Sequence, residues 1–281
     1  AIGDVAPVTA GEVRDCYVVD TGMFDVAEMG AVYVVDAERP AVVDTGLGTN
    51  VERVLAALEE VGIAPGELEV VALTHVHLDH AGGAGFLVEA CPNAEVYVHP
   101  VGAPHLVDPT RLVEGTKRAV GDQWKFYVDP EPVPEERVTE VEGGGAIDLG
   151  DRTLDVHHAP GHAPHQVVYH EPDDDYLFTA DAAGLRFPSL DRVDPTSPPP
   201  NFDLEGCLDD VDMLRDLDPA VLCYAHFGAA EADDRIAEFG CVLTDWVDDV
   251  ASVRERLGDD EAVVEHFEEA SRDVEFWNPE R

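Results

Sequence analysis

Positive charge is scarce in this chain of 281 residues: Lys and Arg number 17 against 60 Asp and Glu, and only Lys117 and Lys125 are lysines. Binding to long nucleic acid draws on clustered Lys and Arg that displace counterions from phosphates. No basic run exceeds Lys117-Arg118, so no nucleic-acid partner is expected. Cysteine is sparse as well. Cys16, Cys91, Cys207, Cys223 and Cys241 are odd in number and follow no framework spacing, which excludes a disulfide-stapled scaffold and fits a reducing cytoplasm. They read as buried small hydrophobes. No apolar run is long enough to cross a membrane, and no signal-peptide pattern or low-complexity linker is present. A cytoplasmic protein without membrane contact is the expectation.

One motif concentrates the chemistry. The apolar run Val70-Val71-Ala72-Leu73 reads as a buried strand, and Thr74-His75-Val76-His77-Leu78-Asp79-His80 follows it at once, then Ala81-Gly82-Gly83. Three imidazoles and a carboxylate within six positions, in a chain with 12 His, are good metal donors delivered at a strand end. With a helical stretch opening at Ala81-Gly82-Gly83, the short loop turns sharply. It aims His75 and His77 to one side and Asp79 and His80 to another, a geometry suited to two metal ions side by side. Neutral imidazole suits zinc, and a mixed His and Asp set without Cys leaves manganese or iron open. Two cations sharing one water lower its pKa from about 15.7 toward about 7, so no serine or cysteine nucleophile is required.

His-x-His-x-Asp-His after a buried strand resembles the signature of the metallo-β-lactamase fold hydrolases. Further segments continue the resemblance in family order over roughly residues 12 to 230: Val42-Val43-Asp44-Thr45-Gly46, Ala159-Pro160-Gly161-His162, Leu177-Phe178-Thr179-Ala180-Asp181 and Tyr224-Ala225-His226. The resemblance implies that His75, His77 and His162 hold one metal, that Asp79, His80 and His226 hold the other, and that Asp181 bridges them. It implies catalytic roles for Asp79 and Asp181 and two zinc ions as cofactors. Asp44 would accept an N–H from a ligand histidine and fix its tautomer. Among the histidines flanking His162, namely His157, His158, His165 and His170, only His162 follows Pro-Gly, where glycine lets the backbone approach the metal site closely. His165 is a candidate for support of the ligands; His99, His105 and His266 receive no function.

The rest of the chain reads as an α+β protein. Strands are expected around Cys16 to Val19, Ala31 to Val35, Pro40 to Asp44 and Ala94 to Val98, with a helix whose Val51, Val54, Leu55, Leu58 and Val61 form one apolar stripe. A second half repeats the plan, with strands at Thr153 to Val156, Val167 to Tyr169, Tyr176 to Thr179 and Val221 to Tyr224, and a helix carrying Leu204, Leu208, Val211 and Leu214. Two strand-rich halves flanked by helices imply two sheets packed face to face with helices outside. The resemblance gives this four-layer αββα metallo-β-lactamase sandwich as a single domain over 1–281. Its pseudo-duplicated halves are about 1–145 and 146–230, followed by C-terminal helices over about 231–281. Acidic helical patterns to about Glu269 are expected to cover the second sheet, and Trp277-Asn278-Pro279 to anchor the terminus.

The formal net charge of -43 is spread along the whole chain among 45% hydrophobic residues, so it belongs to a solvated globular surface and not to a disordered tail. Such acidity resembles that of cytoplasmic proteins from extreme halophiles, where molar salt shortens the Debye length to roughly 3 Å. Residues expected to border the metals are Met23 and Phe24, then Trp124, Phe126 and Tyr127, then Phe187 at the head of a proline-rich stretch running to Phe202. Within it, Asp194-Pro195-Thr196-Ser197-Pro198-Pro199-Pro200 reads as a rigid loop. An apolar pocket with little positive charge would take a small molecule. β-Lactamases of the commonest type carry arginine where His80 stands, and flavin-linked oxygen reductases carry glutamate where His77 stands. The expected activity is glyoxalase-II-like, a binuclear hydrolase of a small thioester, ester or lactone. The alternatives are a phosphodiesterase or ribonuclease of the same fold, a mononuclear iron persulfide dioxygenase, and a non-catalytic metal-binding scaffold. A homodimer is compatible with this reading.

Overall fold

Alternation along the strands distributes the apolar residues among three layers. In the strand Ala31–Val35, Val32 and Val34 face one way while Ala31, Tyr33 and Val35 face the other, and all five are buried. A strand with two buried faces lies inside a layered structure. The computed structural model describes residues 1–190, 192–196 and 202–271.

The first sheet has seven strands in chain order: β1 (Val5–Pro7), β2 (Cys16–Asp20), β3 (Ala31–Val35), β4 (Ala41–Val43), β5 (Val70–Ala72), β6 (Glu95–Val98) and β7 (Val138–Glu140). Its first four strands pair antiparallel, and β4 through β7 pair parallel. Parallel neighbours need crossovers. These are α1 (Val51–Val61), then α2 (Leu78–Ala81) with α3 (Ala84–Ala90), then α4 (Ala103–Val107) with α5 (Thr110–Val120). Of the predicted stripe of α1, Val51, Val54 and Leu58 are buried together with Ala57, while Leu55 and Val61 are partly buried at its edge, and Gly62 at φ 100° closes the helix with its N–H on the Leu58 and Glu59 carbonyls.

The second sheet takes the order β15-β14-β11-β10-β9-β8, from β8 (Ala146–Asp148), β9 (Thr153–His158), β10 (Val167–Glu171), β11 (Tyr176–Phe178), β14 (Val221–Tyr224) and β15 (Gly228–Glu231). Only β11 and β14 pair parallel within it. The hairpin β12 (Leu185–Phe187) and β13 (Arg192–Asp194), followed by α6 (Leu204–Leu217), connects those two. Alternation sorts this sheet too. Tyr169, Tyr176, Phe178, Val221 and Cys223 meet the first sheet, while Val168, Leu177, Leu222 and Tyr224 pack under α6 and α7 (Arg235–Leu257) with Phe239 and Leu243. The helix α8 (Asp260–Ser271) folds back on α7.

The result is the expected α+β four-layer αββα sandwich. Two buried phenols tie its sheets together: Tyr33 donates to the Tyr224 carbonyl at 2.8 Å and Tyr169 to the Leu73 carbonyl at 2.7 Å. Strands β1, β7, β8, β12, β13 and β15 add to those expected; at three or four residues each they are too short to show a period. Four cysteines are buried as expected, but Cys241 is exposed on α7. Ser197-Pro198-Pro199-Pro200 and Trp277-Asn278-Pro279 lie outside the described residues. Among the described residues no helix is long and apolar enough to cross a membrane.

Candidate metal centre

The parallel strands deliver the chemistry at their carboxyl ends. Asp44 follows β4, His75 follows β5, Asp181 follows β11 and His226 follows β14, with His162 in the loop between β9 and β10. The helix after β5 starts earlier than expected. Leu78 through Ala81 already form α2, so Asp79 and His80 stand on its first turn, about 100° apart around the axis. His75 and His77 precede the helix, and this divides the motif between two directions.

The seven expected ligands come together as two groups. His75, His77, His162 and Asp181 form one, and Asp79, His80 and His226 the other, with the ligand atoms of each within 4.8 Å of one another. In the first, His77 Nδ1 lies 3.1 Å from His75 Nε2 and 3.2 Å from His162 Nε2. In the second, His80 Nε2 lies 3.2 Å from His226 Nε2 and 3.5 Å from Asp79 Oδ2. Asp181 faces both groups. Its Oδ2 is 2.9 Å from His162 Nε2 and 3.5 Å from the Nε2 atoms of both His75 and His80, while its Oδ1 is 3.3 Å from His226 Nε2.

Hydrogen bonds behind the ligands decide which nitrogen points inward. Asp44 accepts the Thr74 N–H at 2.8 Å and the Thr74 hydroxyl at 2.9 Å, and its Oδ2 lies 3.1 Å from His80 Nδ1. Because the Thr74 hydrogen goes to Asp44, Thr74 Oγ1 accepts from His75 Nδ1 at 3.1 Å. His226 Nδ1 donates to the Met29 carbonyl at 3.0 Å. With the Nδ1 hydrogens of His75, His80 and His226 so committed, their Nε2 lone pairs all point into the site. Lone pairs of His80 and His226 at 3.2 Å repel one another unless a cation lies against both. Asp181 Oδ1 is buried and makes no hydrogen bond. The donor set therefore fits two metal ions.

Burial and charge prepare these groups. Desolvation holds His75 well below its ordinary pKa and takes His77 down to about 4, which keeps both in the neutral form that ligates metal. Burial alone would raise Asp181, but the imidazoles of His162, His80 and His226 outweigh it and keep the carboxylate ionised. Burial likewise opposes a proton on His80 and His226. The carboxylates of Asp79 and Asp181 reverse this at both, so a proton and a metal compete for the same nitrogens.

The glycine of Pro160-Gly161-His162 has a different partner from the expected one. A Cβ on Gly161 would stand 2.2 Å from the Cys207 backbone nitrogen, so the close approach is to α6 and not to the metal site. Gly161 N–H donates to buried Asp210 at 2.7 Å, and α6 thereby positions the loop carrying His162.

A cleft of about 410 Å³ opens onto Asp79, His77, His162 and Asp181. Of the six residues expected to border the metals, Tyr127 alone lines it. Met23 is buried against Gly30, whose missing side chain leaves room for its methyl group. Phe187 is buried in β12 with the Arg192 guanidinium over its ring. Trp124 stacks on Tyr127 at 5.4 Å and Phe24 lies 5.6 Å from Phe126 and 5.9 Å from Tyr127, so Trp124 and Phe24 pack on Tyr127 and Phe126 packs on Phe24. A further part of the lining, which sequence reasoning missed, is α5, through Arg111, Leu112, Thr116, Ala119 and Val120. Arg111 is the one Arg or Lys among the residues lining the cleft, where the expectation was of an apolar pocket with little positive charge. His165 also lines the cleft, its ring stacked 6.1 Å from His75 and its pKa lowered by burial to about 3, and His105, to which no function was given, lies beside it.

Similarity to known proteins agrees with this architecture. The chain is 29% identical over 220 residues to the metallo-beta-lactamase fold-containing protein ST1585 of Sulfurisphaera tokodaii, covering 76% of this chain and 79% of that protein. The crystal structure of ST1585 superimposes with a TM-score of 0.70, covering 82% of this chain and 86% of that one at 27% identity. A probable metallo-hydrolase, YybB of Bacillus subtilis, is 24% identical over 69% of this chain and 78% of its own length. An acyl-coenzyme A thioesterase of Gallus gallus, MBLAC2, is 32% identical over 162 residues, 52% of this chain and 54% of that protein. The family model of the metallo-beta-lactamase superfamily matches residues 25–226, which spans every candidate ligand, and this chain belongs to that superfamily.

Proposed function

We propose that this protein is a binuclear metal-dependent hydrolase of small acyl compounds, with thioesters ahead of esters and lactones. The observation that carries the reading is Asp181 facing two groups of inward-pointing donors beside an open cleft. His75, His77 and His162 would hold one zinc ion and Asp79, His80 and His226 the other, with Asp181 between them. Bound there, two such ions polarise a carbonyl and make water a nucleophile near neutral pH. Asp79, the most exposed of the acidic donors, sits at the cleft and can accept the proton that water gives up. Leu112, Ala119 and Val120 offer an apolar surface to an acyl chain, and Tyr127 lines the same cleft. The thioesterase named among the relatives supports an acyl substrate. The test is a substrate panel on metal-replete protein in molar KCl. Acyl thioesters, esters and lactones are expected to be hydrolysed and phosphodiesters turned over poorly; faster cleavage of bis-nitrophenyl phosphate or RNA than of every acyl compound would overturn the proposal.

A further inference from the structure

The few basic residues of this chain are not spread evenly. Four of the 17, including both lysines, fall between Arg111 and Lys125, where Glu114 and Asp122 are the only acids, so one short stretch is positive in a chain of formal charge -43. The stretch is α5 and the 3-10 turn Gly121–Phe126 after it, and α5 is a wall of the cleft over the candidate metal centre. Its lysines are engaged. Lys117 pairs with Asp129 at 2.8 Å and lies 4.4 Å over the Trp124 ring, and Lys125 lies 4.8 Å over Phe126. Its arginines are not. Arg14, Arg39, Arg215 and Arg254 elsewhere pair with carboxylates, whereas among the described residues Arg111 and Arg118 form no ion pair. Asp108 accepts the Thr110 hydroxyl at 2.6 Å and feels Arg111 only as a weaker through-space charge, and Glu114, three residues after Arg111 and four before Arg118 on the same face of α5, makes no ion pair with either among the described residues. Arg111 and Arg118 stand two helical turns apart, within about 20° around the axis and about 10 Å along it. Two unpaired guanidiniums at that spacing, on a surface this acidic, present forked donors suited to phosphate oxygens.

We propose that Arg111 and Arg118 bind the phosphate-bearing leaving group of the substrate, so that the substrate class is an acyl thioester of a phosphorylated thiol carrier. The acyl carbon enters the cleft between Leu112 and Tyr127, and the carrier's phosphates lie outside along α5. Water adds to the acyl carbon and the C–S bond breaks, giving a carboxylate, the free thiol and one proton. This inference rests on the acyl-hydrolase reading.

The test compares acetyl-coenzyme A with acetyl-pantetheine, which keeps the thioester and lacks the phosphates, at the lowest salt at which the holoenzyme stays folded. The wild type is expected to show a KM about tenfold lower for the phosphorylated thioester. Arg111→Gln combined with Arg118→Gln should bring that ratio toward one, and Arg215→Gln on α6 should leave it where it was. A ratio near one in the wild type, or one unmoved in the double variant, overturns the proposal. Hydrolysis of neither thioester, nor of any ester or lactone, would instead remove the acyl-hydrolase reading. Calorimetric binding of adenosine 3′,5′-bisphosphate to the holoenzyme still tests the arginines in that event: weakening of about tenfold in the double variant supports them, and an unchanged Kd refutes them.

Discussion

Asp44 Oδ2 stands 3.1 Å from His80 Nδ1, and the rest of its carboxylate accepts the amide and hydroxyl of Thr74. Asp44 sits in the left-handed region at φ 60°, which asparagine also tolerates, so Asp44→Asn keeps the backbone while offering an amide N–H where His80 needs an acceptor. Loss of such an orienting partner costs about 10- to 100-fold in metal affinity. Chelator competition followed by elemental analysis should show that loss in Asp44→Asn. Unchanged affinity would mean that Asp44 does not orient the ligand.

The placement of Asp181 against both donor groups separates it from ligands that belong to one. Purified wild-type protein should carry close to two transition metals per chain. Asp181→Ala should lower both occupancies together, whereas His226→Ala should leave the group around His162 close to full. A wild-type content near one metal, insensitive to His226→Ala, would point to a mononuclear site.

Gly161 meets the backbone of α6, where a Cβ would lie 2.2 Å from the Cys207 nitrogen. Backbone cannot rotate aside as a side chain can. Gly161→Ala is therefore expected to destabilise by about 1–3 kcal/mol, read as a fall in Tm of about 2–4 °C per kcal/mol, and to lower metal affinity as the His162 loop is displaced. A variant with unaltered melting and metal content would show that α6 yields freely.

How much could be read in advance follows from what each residue's role depends on. His75, His77, Asp79 and His80 were legible because donor spacing at a strand end survives folding, whereas Asp44, His162, Asp181 and His226 were legible only through the resemblance of their segments to the metallo-β-lactamase signature. Thr74 was not legible, since its value lies in passing one hydroxyl between Asp44 and His75. Aromatic identity does not reveal direction: Phe187 points into the interior and Tyr127 into the cleft. Helix α5 was missed although Leu112, Val113, Thr116, Ala119 and Val120 recur at helical spacing; none of its residues is fully buried, and so short a stripe does not say that it faces a cleft. Its signal was the local excess of Lys and Arg.

Burial pushes the Asp210 carboxyl from its ordinary 3.8 up to about 7, with Asp209 and Asp203 adding to the rise and its bond to Gly161 N–H opposing it. Between those values the folded chain holds a proton that the unfolded chain has released. The stability this contributes is full below about pH 3.8 and is lost as pH rises through about 7. Asp210→Asn keeps an acceptor for Gly161 and removes the titration. In molar KCl, the Tm of the variant should gain on that of the wild type between pH 5 and pH 8. A difference that stays constant across that range would exclude Asp210 as its source.

Salt should stabilise the whole protein. At about 0.1 M the Debye length is about 10 Å and neighbouring carboxylates repel; at about 1 M it is about 3 Å. The crowding is visible where Asp212, Asp216, Asp218, Asp233 and Asp234 surround Arg215 in one surface hollow. Salt also weakens exposed pairs such as Lys117–Asp129 and Arg254–Asp260, but each of these contributes at most about 1 kcal/mol, and few bases are available to pair. Repulsion from a formal charge of -43 is the larger effect. Tm should therefore rise from 0.1 M to 2 M KCl, and the triple variant Asp216→Asn, Asp233→Asn, Asp234→Asn should start higher and rise less. Identical melting at both salts would show that the acids are compensated within the fold.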